Sequence, residues 1–153
     1  MIFRKALDAD LPHIIALLAD DVLGQTREVV SDPPDAAYLS AFAAISRDPN
    51  QFLAVLTEAD GRIIGTLQLT FLQHLTHRGA KRAQIEAVRV ARSARGRGIG
   101  KIMLQHAVAE AKARNCGMIQ LTTDKERPAA HAFYEGFGFV PSHTGFKLKL
   151  GAP

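Results

Sequence analysis

Residues 95–101 read Arg-Gly-Arg-Gly-Ile-Gly-Lys, with three glycines at alternate positions among basic residues. Glycine at every second position would ruin an ordinary strand or helix, because each one adds backbone freedom that folding must remove. The segment is therefore a turn, and its flanks say what it joins. "AQIEAVRV" before it reads as a strand. "KIMLQHAVAEAKARN" after it places Ile102, Leu104, Ala107, Val108 and Ala111 on adjoining helical positions. The helix should open near Ile99 or Gly100. Its first N–H groups lack intrahelical partners and carry the positive end of the dipole, so the turn is a candidate anion site. Arg95, Arg97 and Lys101 add charge beside it. The alternative is a basic turn that binds nothing.

Two nucleotide templates fail on counting. A P-loop needs G-x-x-x-x-G-K and then Ser or Thr; Gly96 to Gly100 is one residue short, and Ile102 stands where the hydroxyl belongs. The dinucleotide fingerprint needs a third glycine where this chain has Lys101.

The remaining elements surround that centre. "IFRKAL" (2–7) reads as a short strand, and Asp8 is placed to cap a helix carrying Leu11, Ile14, Ile15, Leu17 and Leu18, which ends at "DDVLG". A polar, Pro-broken stretch leads to a second helix in "AAYLSAFAAISRDP". "QFLAVLTEADGRIIGTLQLTFL" reads as a hairpin turning at Asp60-Gly61. Beyond the central helix, closed by Asn115 or Gly117, come a buried-type strand in "MIQLTTD" and a helix beginning at Pro128 and ending at Gly136 or Gly138. A last strand is expected in "GFKLKL" (145–150). No repeat or linker divides the chain, so a single domain over 1–153 is expected.

Composition narrows the class. The 153 residues are 47% hydrophobic and 22% charged, as expected of a globular protein. No apolar run approaches the roughly 20 residues that span a bilayer. The N-terminal stretch lacks the apolar core of a signal peptide. The lone Cys116 fits a reducing compartment, with cytoplasm the expectation, and reads as a packed thiol. A net charge of +4 favours an anionic partner, either nucleic acid or a phosphorylated cofactor. The basic stretch 77–101 contains no aromatic residue, which argues against single-strand stacking. His74 and His77 form H-x-x-H without an evident third ligand, so no metal site is expected.

With R-x-x-G-x-G at Arg95, Gly98 and Gly100, and "AFYEGFGF" at 132–139 downstream, the sequence resembles the GNAT superfamily of N-acyltransferases along essentially its whole length. The resemblance implies an α/β (α+β) GNAT fold. Its twisted sheet of about six to seven mostly antiparallel strands would be flanked by about four helices and splayed between strands 4 and 5. It also implies an acetyl-CoA-dependent N-acetyltransferase, with direct transfer to an amine in a ternary complex. The acceptor is more readily a small molecule than a protein, and a homodimer is possible. The pyrophosphate would lie on the backbone of Arg95, Gly96, Arg97, Gly98, Ile99, Gly100 and Lys101. The pantetheine arm would pair with the main chain of Val88, Arg89 and Val90.

Glu86 is implied as general base, directly or through water, and Tyr134 as general acid for the leaving thiolate. Alternation along the strand puts Glu86 on the side of Gln84, Val88 and Val90. Many family members carry asparagine seven residues before the tyrosine. Arg127 stands there in this chain, a further candidate contact to the cofactor. The rival reading is a non-catalytic basic module on the same fold, binding nucleic acid or acting as a CoA-binding regulator.

Overall fold

In the computed structural model, residues 1–21 and 24–151 are described; Val22 and Leu23, within the predicted end of the first helix, lie outside them. The element order is β1 (Ile2–Lys5), α1 (Leu11–Ala19), α2 (Ala36–Arg47), β2 (Gln51–Thr57), β3 (Ile63–Gln73), a one-turn α3 (Thr76–Gly79), β4 (Lys81–Val90), α4 (Ile99–Ala113), β5 (Met118–Leu121) and α5 (Pro128–Phe137). The five strands form one sheet in sequence order, antiparallel from β1 to β4, with β5 parallel to β4. The chain divides into two compact units, Met1–Gln120 and Leu121–Pro153.

In the first unit, one sheet face is covered by α1 and α2. Leu11, Ile14, Ile15 and Phe42 pack on Leu53 and Val55 of β2. The helix begins later than Asp8 predicts. Asp8–Asp10 is a 3-10 turn, and the anchoring carboxylate belongs to Asp10. It accepts the Leu7 N–H at 2.8 Å and both Arg4 guanidinium nitrogens, at 2.6 and 3.1 Å. These hydrogen bonds, led by Arg4, hold the buried Asp10 carboxyl below its ordinary pKa. Asp35 caps α2 by accepting the Ala37 N–H at 2.8 Å.

The other face belongs to α4, whose Met103, Leu104 and Ala107 are fully buried. Gly65 of β3 permits this approach: a Cβ there would stand 2.3 Å from the Met103 sulfur and 3.2 Å from the Arg89 carbonyl. Asn115, with φ of 58°, ends α4 as anticipated.

The second unit holds α5, with Pro128 in its first turn. Gly138 at φ of 115° caps it, its N–H reaching the carbonyls of Tyr134 and Glu135. Two expectations need correcting here. No strand forms in 145–150 among the described residues, so the sheet has five strands and not six or seven. Phe146, Leu148 and Leu150, although alternating with lysines, are 94%, 86% and 91% exposed. Alternation shows that one face of a strand could be buried but does not supply the neighbour that buries it. Likewise β5 is only partly buried and stops at Leu121, short of the predicted "TTD".

Candidate active site

The centre of the first unit's site is a break in β4. Thr66 of β3 faces Arg89, but Gln68 faces Glu86, so Ala87 and Val88 together oppose Leu67 alone. That is a β-bulge, and Ala87 takes the left-handed φ of 53°. An L-residue there is uncommon and carries local strain, which concentrates at functional sites. The bulge reverses the alternation beyond it. Glu86 shares its face with Arg89, and not with Val88 and Val90 as strict alternation predicts. Nothing in the composition of "IEAVRV" announces this, because the bulge residue is alanine and not glycine.

Glu86 is exposed on that face. Arg89 turns to the end of α1, pairing with the Asp21 carboxylate at 3.2 Å, both side chains largely buried. It also donates to the Val88 carbonyl at 2.9 Å. Beside Glu86, Thr66, Gln68 and Ala87 form the floor of an apolar pocket of about 90 Å³. Its walls come from α1 and α2 through Leu11, Ile14, Ile15, Leu18, Tyr38, Ala41, Phe42 and Ile45, with Leu53 of β2.

From Val90 the chain enters a 3-10 turn at Arg92–Ala94 and then the glycine segment. Gly96 and Gly98 have φ of 75° and 74°, and a Cβ at either would meet no atom within 4 Å. Their backbone is thus open on the side where a side chain would stand, and α4 starts directly at Ile99, with Gly100 and Lys101 in its first turn. β5 is four residues long against ten for β4. The Gly117 N–H just before β5 donates to the Lys81 carbonyl at 2.9 Å, so this parallel strand lies along the start of β4, and Val88, Arg89 and Val90 lie beyond it.

The basic side chains of the turn divide into two kinds. Arg95 points back into the fold, donating to the Val90 carbonyl at 3.1 Å, the Asp20 carbonyl at 3.2 Å and the Asp20 carboxylate at 3.3 Å. Arg92 joins the same carboxylate at 2.6 Å. The motif arginine is therefore an anchor for the turn, a role the sequence does not distinguish from phosphate contact. Arg97 lies half-exposed against Glu58 at 2.8 Å, and this contact, with Arg62 behind it, lowers the Glu58 pKa. Lys101 is exposed in the first turn of α4.

In the second unit, Tyr134 lies on α5 between two aromatic neighbours, its ring 5.1 Å from Phe133 and 5.9 Å from Phe139. Arg127 occupies the position immediately before α5, and its side chain makes no capping hydrogen bond to the helix. Cys116 is a free thiol whose pKa is raised by burial, so it is a poor nucleophile at neutral pH. Among the described residues no three His, Cys, Asp or Glu side chains converge as metal ligands, and no helix is long and apolar enough to cross a membrane.

The site thus joins a bulged strand to an open glycine turn at a helix start. Residues 15–139 match the acetyltransferase (GNAT) family, and the chain belongs to that family. It is 30% identical over 142 residues to an aminoalkylphosphonate N-acetyltransferase of Salmonella typhimurium, covering 92% of this chain and 91% of the relative. Against a streptothricin acetyltransferase of Streptomyces lavendulae it is 31% identical, over 74% of this chain and 62% of that one. The crystal structure of a transcriptional regulator from Bacillus halodurans C-125 superposes with a TM-score of 0.94 at 45% identity, covering 97% of this chain and 99% of that chain.

Proposed function

We propose that the chain, with both units acting as one domain over 1–153, is an N-acetyltransferase that moves the acetyl group of acetyl-CoA to a primary amine of a small molecule. The observation that carries this is the open backbone at Gly96 and Gly98, placed at the start of α4 and directly after the bulged β4. The family match and the two acetyltransferase relatives, one of them an N-acetyltransferase, support the same reaction class.

The residues fit such a carrier. The main chain of 95–101 offers donors to a pyrophosphate, with Arg97 and Lys101 as outer charge. The β4 main chain from Val88 to Val90 offers an edge for an extended arm. Acetyl-CoA supplies the activated thioester. An amine of pKa near 10 arrives protonated, and Glu86, exposed beside the pocket, accepts its proton directly or through water. N–H groups at the Ala87 bulge hold the negative charge that develops on the carbonyl oxygen. The Tyr134 hydroxyl gives its proton to the departing thiolate, and Arg127 is a further contact for the carrier.

The test is calorimetric titration with acetyl-CoA, followed by thiol release in the presence of a mixed panel of primary amines. Binding with amine-dependent release is expected; absence of acetyl-CoA binding would remove the reading. A second reading, a CoA-binding regulator that contacts nucleic acid, is favoured by the likeness to the Bacillus halodurans regulator and by the charge of +4. It requires duplex affinity that falls steeply with salt.

A further inference from the structure

The pocket beside Glu86 bears on the acceptor. None of its twelve lining residues is charged. The few polar groups in the lining are already engaged: Thr66 donates its hydroxyl to the Ala54 carbonyl at 2.8 Å, and Gln68 donates to Gln51 at 2.9 Å. Tyr38 donates to Glu28 at 2.8 Å while accepting the Val29 N–H at 3.0 Å. A cationic or anionic acceptor group placed here would lose water without meeting an opposite charge in the lining, which is unfavourable. An alkyl group would be favoured by burial alone.

Resting on the acetyltransferase reading, we propose that this pocket holds the body of the acceptor, and that the acceptor is a primary amine carrying a short branched aliphatic group. Size sets the limit. At about 90 Å³, against about 150 Å³ for a cavity that holds benzene, the pocket favours a branched alkyl group of roughly four carbons over an aromatic ring. Gln68 lies opposite Glu86 in the sheet register and Ala87 follows it, so an alkyl group seated on this floor brings its attached amine to the carboxylate and to the bulge. The same lining disfavours polyamines, whose second ammonium would enter an apolar wall.

The experiment has two readouts on the full chain. The first is the methyl NMR spectrum of Ile14, Ile15 and Leu18 during titration with isobutylamine, putrescine, ethanolamine and 2-phenylethylamine, in the presence of CoA. The second is thiol release from acetyl-CoA with the same amines plus ethylamine. The proposal expects selective methyl shifts with isobutylamine and kcat/KM rising about fourfold per added carbon from ethylamine to isobutylamine, then falling for the phenyl compound. Ala41→Leu, at the pocket wall on an exposed helix position, should lower kcat/KM for isobutylamine at least tenfold and for ethylamine less than threefold. Leu18→Ala should move the optimum to a longer chain, and it serves as the second variant should the first fail to fold. Acetylation that favours putrescine or ethanolamine, or pocket methyls that do not respond to isobutylamine, would overturn the proposal while leaving the transferase reading intact. Methyl shifts without transfer to any amine would instead count against the transferase reading.

Discussion

Arg95 of the glycine turn and Asp20 at the end of α1 are joined twice, through the Asp20 carbonyl at 3.2 Å and its carboxylate at 3.3 Å. Together with Asp21 on Arg89, this ties the end of the pocket helix to the strand and turn proposed to hold acetyl-CoA. The turn is therefore held in shape from behind by its motif arginine, leaving its backbone free to face a ligand.

It follows that Arg95 and Arg97 should fail differently when replaced. Arg95→Ala should weaken acetyl-CoA binding about tenfold by loosening the turn, leaving the salt dependence of binding unchanged. Arg97→Ala and Lys101→Ala should each weaken it less while reducing the salt dependence, since long-range charge attraction is what salt screens. Titrations at two ionic strengths separate the two behaviours. Equal salt slopes for all three variants would remove the distinction.

Gly98→Ala tests the cradle. Placing alanine at φ of 74° costs about 1–2 kcal/mol in backbone strain, with no clash, because no atom lies within 4 Å of the added Cβ. A modest fall in melting temperature is expected, together with a loss of acetyl-CoA affinity of at least tenfold as the methyl occupies the open side. Unchanged affinity in a folded variant would show that the ligand does not approach there.

The acid–base assignments predict separate signatures. Glu86→Gln should lower kcat/KM by roughly 10²-fold with acetyl-CoA affinity nearly unchanged. Tyr134→Phe should lower kcat by a similar factor with acetyl-CoA affinity nearly unchanged. Rate profiles of both variants that match the parent would exclude these roles.

Acid stability should depend on Asp10. Its pKa is lower in the folded chain than in the unfolded one, so its contribution is complete above the ordinary carboxylate pKa and is lost as pH falls through the folded value. Asp10→Asn should cost about 1.5–3 kcal/mol at neutral pH, the range for hydrogen bonds to charged groups, and should flatten the decline in stability below pH 4. Urea unfolding at pH 3 and pH 7 measures both effects.

Much of this arrangement is legible in the chain because it rests on local chemistry. Alternating glycines mark the turn, Asp60-Gly61 marks the hairpin, and Pro128 and Gly138 bracket α5. The Ala87 bulge is hidden, since its cause is how β3 and β4 pair across the sheet and not the preference of one residue. For the same reason the faces assigned to Val88 and Val90 reverse. Asp10 replaces Asp8 as anchor because Arg4, a neighbour in space, selects it. The apolar pocket draws on five elements, α1, α2, β2, β3 and β4, which no single stretch of helix or strand displays. The exposed 145–150 segment marks the opposite limit: its pattern suits a strand, yet pairing needs a partner edge.

The most direct measurement follows carbon-labelled acetyl-CoA with isobutylamine by mass spectrometry, comparing the parent chain with Gly98→Ala. The account predicts labelled N-acetyl product equal in amount to the CoA thiol released, and at subsaturating acetyl-CoA a rate at least tenfold lower for the variant. Acetyl-CoA binding without labelled product from isobutylamine or any other amine of the panel would contradict it.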